Sequence, residues 1–267
     1  MYTGPVRIHH EELTDVERYI QRHGQEELAS KESEYQTFMH LLEPYKKVDS
    51  TTSVLEIGTG TGWFPLLCKQ HGVPYKGLEI SLQLVSHAKE LGQRTGLVPD
   101  IELGNIEETD IGREEYDVVI ASSVFEHVEH WRPALKRVYA ALRPGGVLYF
   151  ESTNKFCPKS GEYDVLFYSW LPDAGRYWLR RKVHGDDVMK LGIDFNQFRY
   201  PLLRREFKKL GFSQIYDRVD LADLDHVSTP GKARIAAAAK SIGLVRALAL
   251  TFCDVTRFVC VKPSRIE

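Results

Sequence analysis

From Thr52 to Ser152 short apolar runs alternate with stretches of helical period, and that alternation restricts the chain to a small set of folds. Strands are expected at 53–58, 75–80, 99–104, 116–122 and 146–152, with helices between them at 62–71, 81–95 and 131–142. Strands that alternate with helices build βαβ units around a parallel sheet. Val118-Val119-Ile120 is apolar without interruption, as suits a central strand covered on both faces. Arg143-Pro144-Gly145-Gly146 supplies breakers that end one helix and turn into the fifth strand. The expected class is α/β.

Flanking segments are helical in pattern. Residues 11–22 and 30–47 read as amphipathic helices, the second carrying Tyr35, Phe38, Leu41, Leu42 and Tyr45 at helical spacing. That face either packs on the core or forms a lid over a ligand. Aromatic and charged residues break the alternation over 153–199. Regular structure resumes with a helix near 202–211, a strand at 212–219, a helical stretch at about 231–249 and a strand at 255–262.

Composition narrows the function. Hydrophobic residues at 43% and charged residues at 27% suit an ordinary globular core and exclude disordered and fibrous classes. With 35 Lys and Arg against 37 Asp and Glu, nothing calls for a nucleic-acid partner. Cys68, Cys157, Cys253 and Cys260 form no CxxC pair and have no metal-ligand spacing with His. No metal is expected, and the thiols fit a reducing compartment. MYTGPVRIHHEELTD lacks a signal peptide's apolar stretch. Ile235 to Cys253 is interrupted by Lys240, Ser241 and Arg246 and is no bilayer span. A soluble, cytoplasmic protein with one core is the expectation.

The chemistry concentrates in Val54-Leu55-Glu56-Ile57-Gly58-Thr59-Gly60-Thr61-Gly62-Trp63-Phe64, a buried strand feeding a glycine turn that opens a helix. Such a turn lets a ligand approach the backbone while helix N–H groups face the site. Nicotinamide, flavin and S-adenosylmethionine (SAM) sites all use one. Glu56 stands at the carboxyl end of the strand, where ligands bind in open α/β sheets. It would repel a diphosphate and favour the ammonium and sulfonium of SAM. The dinucleotide fingerprint wants its last glycine or alanine where Trp63 stands, and no Lys-Ser or Lys-Thr pair follows. Glu79 ends the second strand and can accept from both hydroxyls of a ribose. SAM is the expected ligand, with an NAD(P)-dependent oxidoreductase as the alternative and a SAM-binding protein without turnover as a third reading.

In order, LEIGTGTGW, GLEIS, GNIEE, YDVVIASSVFEHVEHW and LRPGGVLYFES resemble the class I SAM-dependent methyltransferases. They are especially similar to the branch of ubiquinone-biosynthesis-type small-molecule O-methyltransferases. The likeness covers 52–152, and more loosely 200–219 and 255–262. It implies a Rossmann-like three-layer sandwich, with a mostly parallel seven-stranded sheet in the order 3-2-1-4-5-7-6 and the seventh strand antiparallel. It also implies that Glu56, Gly58, Thr59 and Gly60 surround the methionine moiety, and that Glu79, with Ile80, meets the ribose. Asn105 and Ile106 would bracket the adenine, Asn105 standing where many members carry Asp, and Ser122 would lie near the methionine end. The segment 219–255 is longer than the family's usual hairpin. The chain then divides into a helical lead-in or lid (1–50), a SAM-binding core (51–152), an aromatic-rich acceptor cap (153–199) and a C-terminal completion of the sheet (200–267).

SAM carries an activated methyl, so such a protein mainly aligns a nucleophile, and a base helps a hydroxyl lose its proton. His127, just beyond the fourth strand, is the candidate base, with fixation of its loop as the alternative. His130 reads as a surface residue. The aromatics of 153–199 either form a small core or wall a pocket for an apolar or aromatic small-molecule acceptor, with Asn154 and Tyr163 as contacts. The basic run Arg176 to Lys182 is either a solvated face or a contact with an anionic membrane. The resemblance favours oxygen slightly over nitrogen as the methylated atom.

Overall fold

The structure is a computed structural model that describes residues 16–24, 27–159, 165–184, 195–223 and 229–265. Seven strands form one sheet: β1 (Val54–Ile57), β2 (Tyr75–Glu79), β3 (Ile101–Leu103), β4 (Tyr116–Ser122), β5 (Leu142–Thr153), β6 (Gln214–Asp217) and β7 (Val255–Val261). Their order is β3-β2-β1-β4-β5-β7-β6, and β7 runs antiparallel to both its neighbours, as the motif order implied. Around them lie α1 (Val16–His23), α2 (Glu32–Leu42), α3 (Trp63–Gln70), α4 (Leu82–Thr95), α5 (Trp131–Ala141), α6 (Asp173–His184), α7 (Tyr200–Leu210), α8 (Pro230–Ser241) and α9 (Gly243–Phe252).

Strand alternation divides the core into two layers. Leu55 and Ile57 join Val119, Leu148 and Phe150 beneath α5 and α7. Val54 joins Val118, Ile120 and Val147 on the other face, against Leu42 of α2 and Leu66 and Leu67 of α3. Phe207 of α7 lies 5.4 Å from Phe150 and 5.2 Å from Phe258, ring centroid to centroid, both close to edge-on. Each such buried side chain contributes about 1.5–3 kcal/mol, so the two layers together hold the sheet. Local signals set the helix ends. The Ser81 hydroxyl accepts from Leu84 N at the start of α4, and Gly96 ends that helix in the left-handed region.

At the edge away from the glycine turn, Asp117 accepts from Lys46, Arg143 and Ser53 N at 3.0, 2.7 and 3.1 Å. Burial pushes its carboxyl up, but the Ser53 N–H and the two cations outweigh it and hold the pKa below the ordinary value. This clasp ties α2's exit to the starts of β1 and β4.

β3 and β6 are shorter than expected at both ends, and three further boundaries differ from the sequence reading. β5 begins at Leu142, not 146, and passes through the Pro-Gly-Gly, because Leu142 pairs with Tyr116 across a register shift and Gly145 N donates to Lys262 O at 3.1 Å. The breakers bend the strand without ending it. The expected helix at 30–47 is a short 3₁₀ turn, Leu28–Lys31, followed by α2. The helical stretch at 231–249 is two helices, because Ile242 is extended (φ −119, ψ 110).

Candidate active site

The turn after β1 is shaped by what its glycines leave out. A Cβ on Gly58 would stand 2.0 Å from Val124 Cγ2, and one on Gly62 would stand 2.3 Å from the Ala88 Cβ of α4. The first gap lets the loop after β4 close on the turn, and the second lets α4 pack on the start of α3. Among the described residues, a Cβ on Gly60 would meet only the Tyr19 hydroxyl of α1, at 3.6 Å. Trp63 takes no part in that close approach. It stands half-buried, edge-on to Phe64 at 5.5 Å, with the Lys31 ammonium 5.5 Å from its ring. Thr59 is 5% exposed, and its hydroxyl has no hydrogen-bond partner among the described residues. A buried orphan of this kind costs about 1–3 kcal/mol until something meets it.

Glu56 is in register with Gly77 of β2 and Ile120 of β4, so its side chain shares a sheet face with Tyr75 and Glu79. Gly77 makes room there, since a Cβ on it would stand 2.5 Å from Thr59 Cγ2 and 3.1 Å from the Tyr75 hydroxyl. That hydroxyl donates to Glu56 Oε2 at 2.5 Å. Glu79 Oε2 accepts from Gly60 N at 3.1 Å and Oε1 from Ser81 N at 3.0 Å. Burial pushes the Glu56 carboxyl up to about 8, the Tyr75 bond opposing the rise and the charge of Glu79 adding to it. Glu79 is also raised by burial, against the pull of the backbone N–H groups of Ser81, Gly60, Ile80 and Thr59. Tyr75 is raised by burial and by Glu56, so it stays a donor. Neither acid has a Lys, Arg or His partner among the described residues.

A group with a cationic amino-acid tail and a ribose fits this donor set. Glu56 offers an acid that a cation would ionise, the turn offers the Thr59 hydroxyl and a bare Gly60, and Glu79 offers two carboxyl oxygens as acceptors. A diphosphate does not fit, because the Glu56 carboxyl, which repels it when ionised, would face it.

The other expected contacts surround the same edge. Ile80 is half-buried after Glu79, and Ser122 is exposed at the end of β4. Asn105 is 6% exposed, and its Oδ1 accepts from Glu107 N at 3.0 Å, so half of its amide already shapes the turn after β3. Ile106 packs in the core layer that holds Leu78 and Val119.

His127 ends a 3₁₀ turn, Phe125–His127, and is half-buried. Its neighbour Glu126 is 3% exposed and accepts from Ser152 Oγ at 2.6 Å. The turn is held by a residue absent from the sequence reading. Asn196 Nδ2 donates to Phe125 O at 3.2 Å and Val128 O at 2.7 Å, and Asn196 N donates to Glu126 O at 3.0 Å. An asparagine in an irregular segment gives no local signal of such a clamp. The Glu-His pair thus divides: Glu126 is inside the fold, and His127 is at its rim. His130 is exposed, and its backbone N–H donates to Glu107 Oε2 at 3.2 Å.

The 153–199 segment departs from expectation at two residues. Asn154, read as an acceptor contact, is 2% exposed, and its Nδ2 donates to Leu250 O, Thr251 O and Cys253 O at 3.1, 3.1 and 2.8 Å. Its amide is committed to carbonyls at the C-terminal end of α9, where intrahelical donors run out. Arg176, read as the start of a surface or membrane-facing run, is the largest fully buried side chain among the described residues, and it donates to Asp173 Oδ1 at 2.7 Å. Tyr163 lies outside the described residues. The aromatics separate as well. Phe198 is core, 5.1 Å from Trp131, whereas Trp170 and Trp178 are 43% and 58% exposed. Beyond Asn154 a groove of about 990 Å³ opens between α7, β6 and α9, with Phe156, Tyr200, Leu250 and Arg246 among its walls.

A doubly wound sheet with a glycine turn and two buried acids at its carboxyl edge defines a nucleoside-binding α/β protein. The sequence profile of the family described as "Methyltransferase domain" matches residues 19–224, well over half of the chain, which belongs to that family. The ubiquinone biosynthesis O-methyltransferase of Bradyrhizobium diazoefficiens is 31% identical over 150 residues, 53% of this chain and 56% of the relative. The chain thus spans about half the length of the curated relatives it matches. Haemonchus contortus phosphoethanolamine N-methyltransferase 2, solved in complex with S-adenosyl-L-methionine, superposes with a TM-score of 0.55 at 13% identity, covering 94% of this chain and 60% of that one. A S-adenosylmethionine-dependent methyltransferase from Mesorhizobium loti gives 0.54 at 16% identity, covering 84% and 96%. At these identities the solved structures establish the fold.

Proposed function

We propose that the chain is a SAM-dependent methyltransferase acting on a small-molecule acceptor, with a hydroxyl oxygen favoured over nitrogen. The observation that carries this reading is the pair Glu56 and Glu79, two buried acids without a cationic partner among the described residues, on one sheet face behind the glycine turn. The family membership and the names of the relatives support it.

In this reading Glu56 receives the ammonium of the methionine tail, while Gly58, Thr59 and Gly60 line that tail with backbone and hydroxyl. Glu79, with Ile80 beside it, accepts from the ribose hydroxyls. Asn105 and Ile106 border the adenine, and Ser122 stands toward the methionine end. When bound, SAM supplies a methyl already activated on a positive sulfur. The chain's own work is to align the acceptor, worth on the order of 7–11 kcal/mol in favourable intramolecular models. The His127 imidazole takes the acceptor's hydroxyl proton, for a further ~10²–10⁴-fold. An apolar or aromatic acceptor suits the aromatic content of 153–199.

In this reading the chain divides into lead-in (1–50), core (51–152), cap (153–199) and C-terminal completion (200–267). Within the lead-in, α1 is the lid over Gly60 and α2 is part of the core. A cytoplasmic setting agrees with the four free cysteines. Among the described residues no helix is long and apolar enough to cross a membrane.

Parallel calorimetric titrations with SAM and NAD test the cofactor, and methyl-labelled SAM with a panel of phenols and amines tests turnover. Micromolar SAM binding with label transfer is expected. Tight NAD binding without a SAM signal would return the chain to the oxidoreductases, and SAM binding without transfer to any acceptor would leave a binding protein.

A further inference from the structure

No described helix is more apolar than α9, and yet none of its residues is buried. Leu244, Leu248 and Phe252 follow one another at four-residue spacing and form a stripe along one face, 72%, 50% and 45% exposed. The stripe continues beyond the helix. The Phe252 ring lies 6.4 Å from Trp170, itself 4.9 Å from Phe167, and these two are 43% and 49% exposed. On α8, Ile235 is 58% exposed, and Lys232 stands one turn before it. A contiguous apolar ridge of this kind marks an interaction surface.

Its charge says what meets it. From Thr229 to Cys253 there is no Asp or Glu, but there are Lys232, Arg234, Lys240 and Arg246. Arg246 is held by Asp217 and Asp220, and Lys240 donates to Ala222 O. Lys232 and Arg234 are exposed and have no partner among the described residues. Apolar side chains with tryptophan and phenylalanine at one end and unopposed cations on the helix packed against them are the pattern of an element lying in the headgroup region of an anionic bilayer. A two-fold contact with a second copy through this face would set the same cations against each other. Neither helix can span a bilayer, since α8 has 12 residues, α9 has 10, and Ile242 breaks the path between them.

We propose that the α8–α9 hairpin, together with the Phe167–Trp170 turn, is a peripheral docking surface for anionic phospholipid membranes. This moves membrane contact away from the Arg176 run, whose first side chain is buried. It does not depend on the methyltransferase reading.

Co-sedimentation of the full chain with vesicles tests it. Binding to phosphatidylcholine–phosphatidylglycerol vesicles is expected to exceed binding to phosphatidylcholine alone at least tenfold, and to weaken as salt rises. Leu244→Ser with Leu248→Ser should remove most of it, and Lys232→Glu with Arg234→Glu should remove the preference for the anionic lipid. All four positions are exposed, so melting temperatures should match the parent. Equal binding by parent and variants, or no vesicle binding by the parent, overturns the proposal. A parent dimer that the leucine substitutions dissociate, without vesicle binding, assigns the ridge to a second copy.

Discussion

The Tyr75 hydroxyl donates to the Glu56 carboxylate at 2.5 Å, and this bond is the main local support for an acid that burial would rather keep protonated. The folded pKa of about 8 lies above the ordinary 4.5. Stability from the neutral form is therefore complete below about 4.5 and lost as pH rises through about 8. Glu56→Gln should raise the melting temperature of the ligand-free protein at alkaline pH, removing a penalty on the order of 5 kcal/mol. The same change should weaken SAM binding. In the parent, SAM affinity should climb as pH approaches about 8, because binding the cation releases the proton. Thermal scans across pH, with and without SAM, check both halves. A variant that loses stability and keeps its affinity would refute the assignment.

Glu79 joins the turn after β1 to the end of β2 through Gly60 N and Ser81 N. Glu79→Ala removes the proposed ribose acceptor and leaves those donors unmet. Charged hydrogen bonds of this kind contribute about 1.5–3 kcal/mol, so SAM affinity should fall roughly tenfold to a hundredfold by calorimetry. An unchanged dissociation constant would take the ribose away from this residue.

Gly58 and Gly72 both have positive φ, +73 and +69, but among the described residues only a Cβ on Gly58 would meet a close neighbour, Val124 Cγ2 at 2.0 Å. Alanine at either position costs roughly 1–2 kcal/mol for the left-handed backbone. At Gly58 a further ~1–3 kcal/mol of overpacking is added. Gly58→Ala should lower the melting temperature more than Gly72→Ala, and it alone should abolish SAM binding. Equal behaviour of the two would show that the loop after β4 yields freely.

His127→Ala should slow methyl transfer by about 10²–10⁴-fold while sparing SAM affinity. Asn196→Ala acts one step away. By releasing the carbonyls of Phe125 and Val128, it should speed amide exchange over 125–128 and lower turnover. Single-turnover assays and hydrogen exchange measure the two effects. Full activity in His127→Ala would leave alignment as the whole mechanism.

Much of the sheet was legible because short apolar runs and glycine breakers are local. β4, Tyr116–Ser122, agrees residue for residue with its expected span. The β5 start was misplaced because Pro-Gly-Gly reads as a terminator, and only pairing with Tyr116 and the end of β7 keeps Leu142–Gly146 in the strand. At the site, Glu56 and Glu79 were visible from their places at strand ends. Tyr75 was not singled out, because a tyrosine opening a strand looks the same whether it faces solvent or a buried acid.

The strand order came from the family resemblance that the motifs carry, whereas residue order alone was enough for the α/β class and the acids bordering the glycine turn. Those features depend on backbone periodicity and on which residue follows which. Burial of Arg176, capture of α9's carbonyls by Asn154, the Asn196 clamp and the exposure of the Leu244–Phe252 stripe came from the tertiary structure. Each depends on a partner distant along the chain or, for the stripe, on the lack of one among the described residues. A side chain's environment is the sum of what the whole fold brings to it, and apolarity by itself does not select a face.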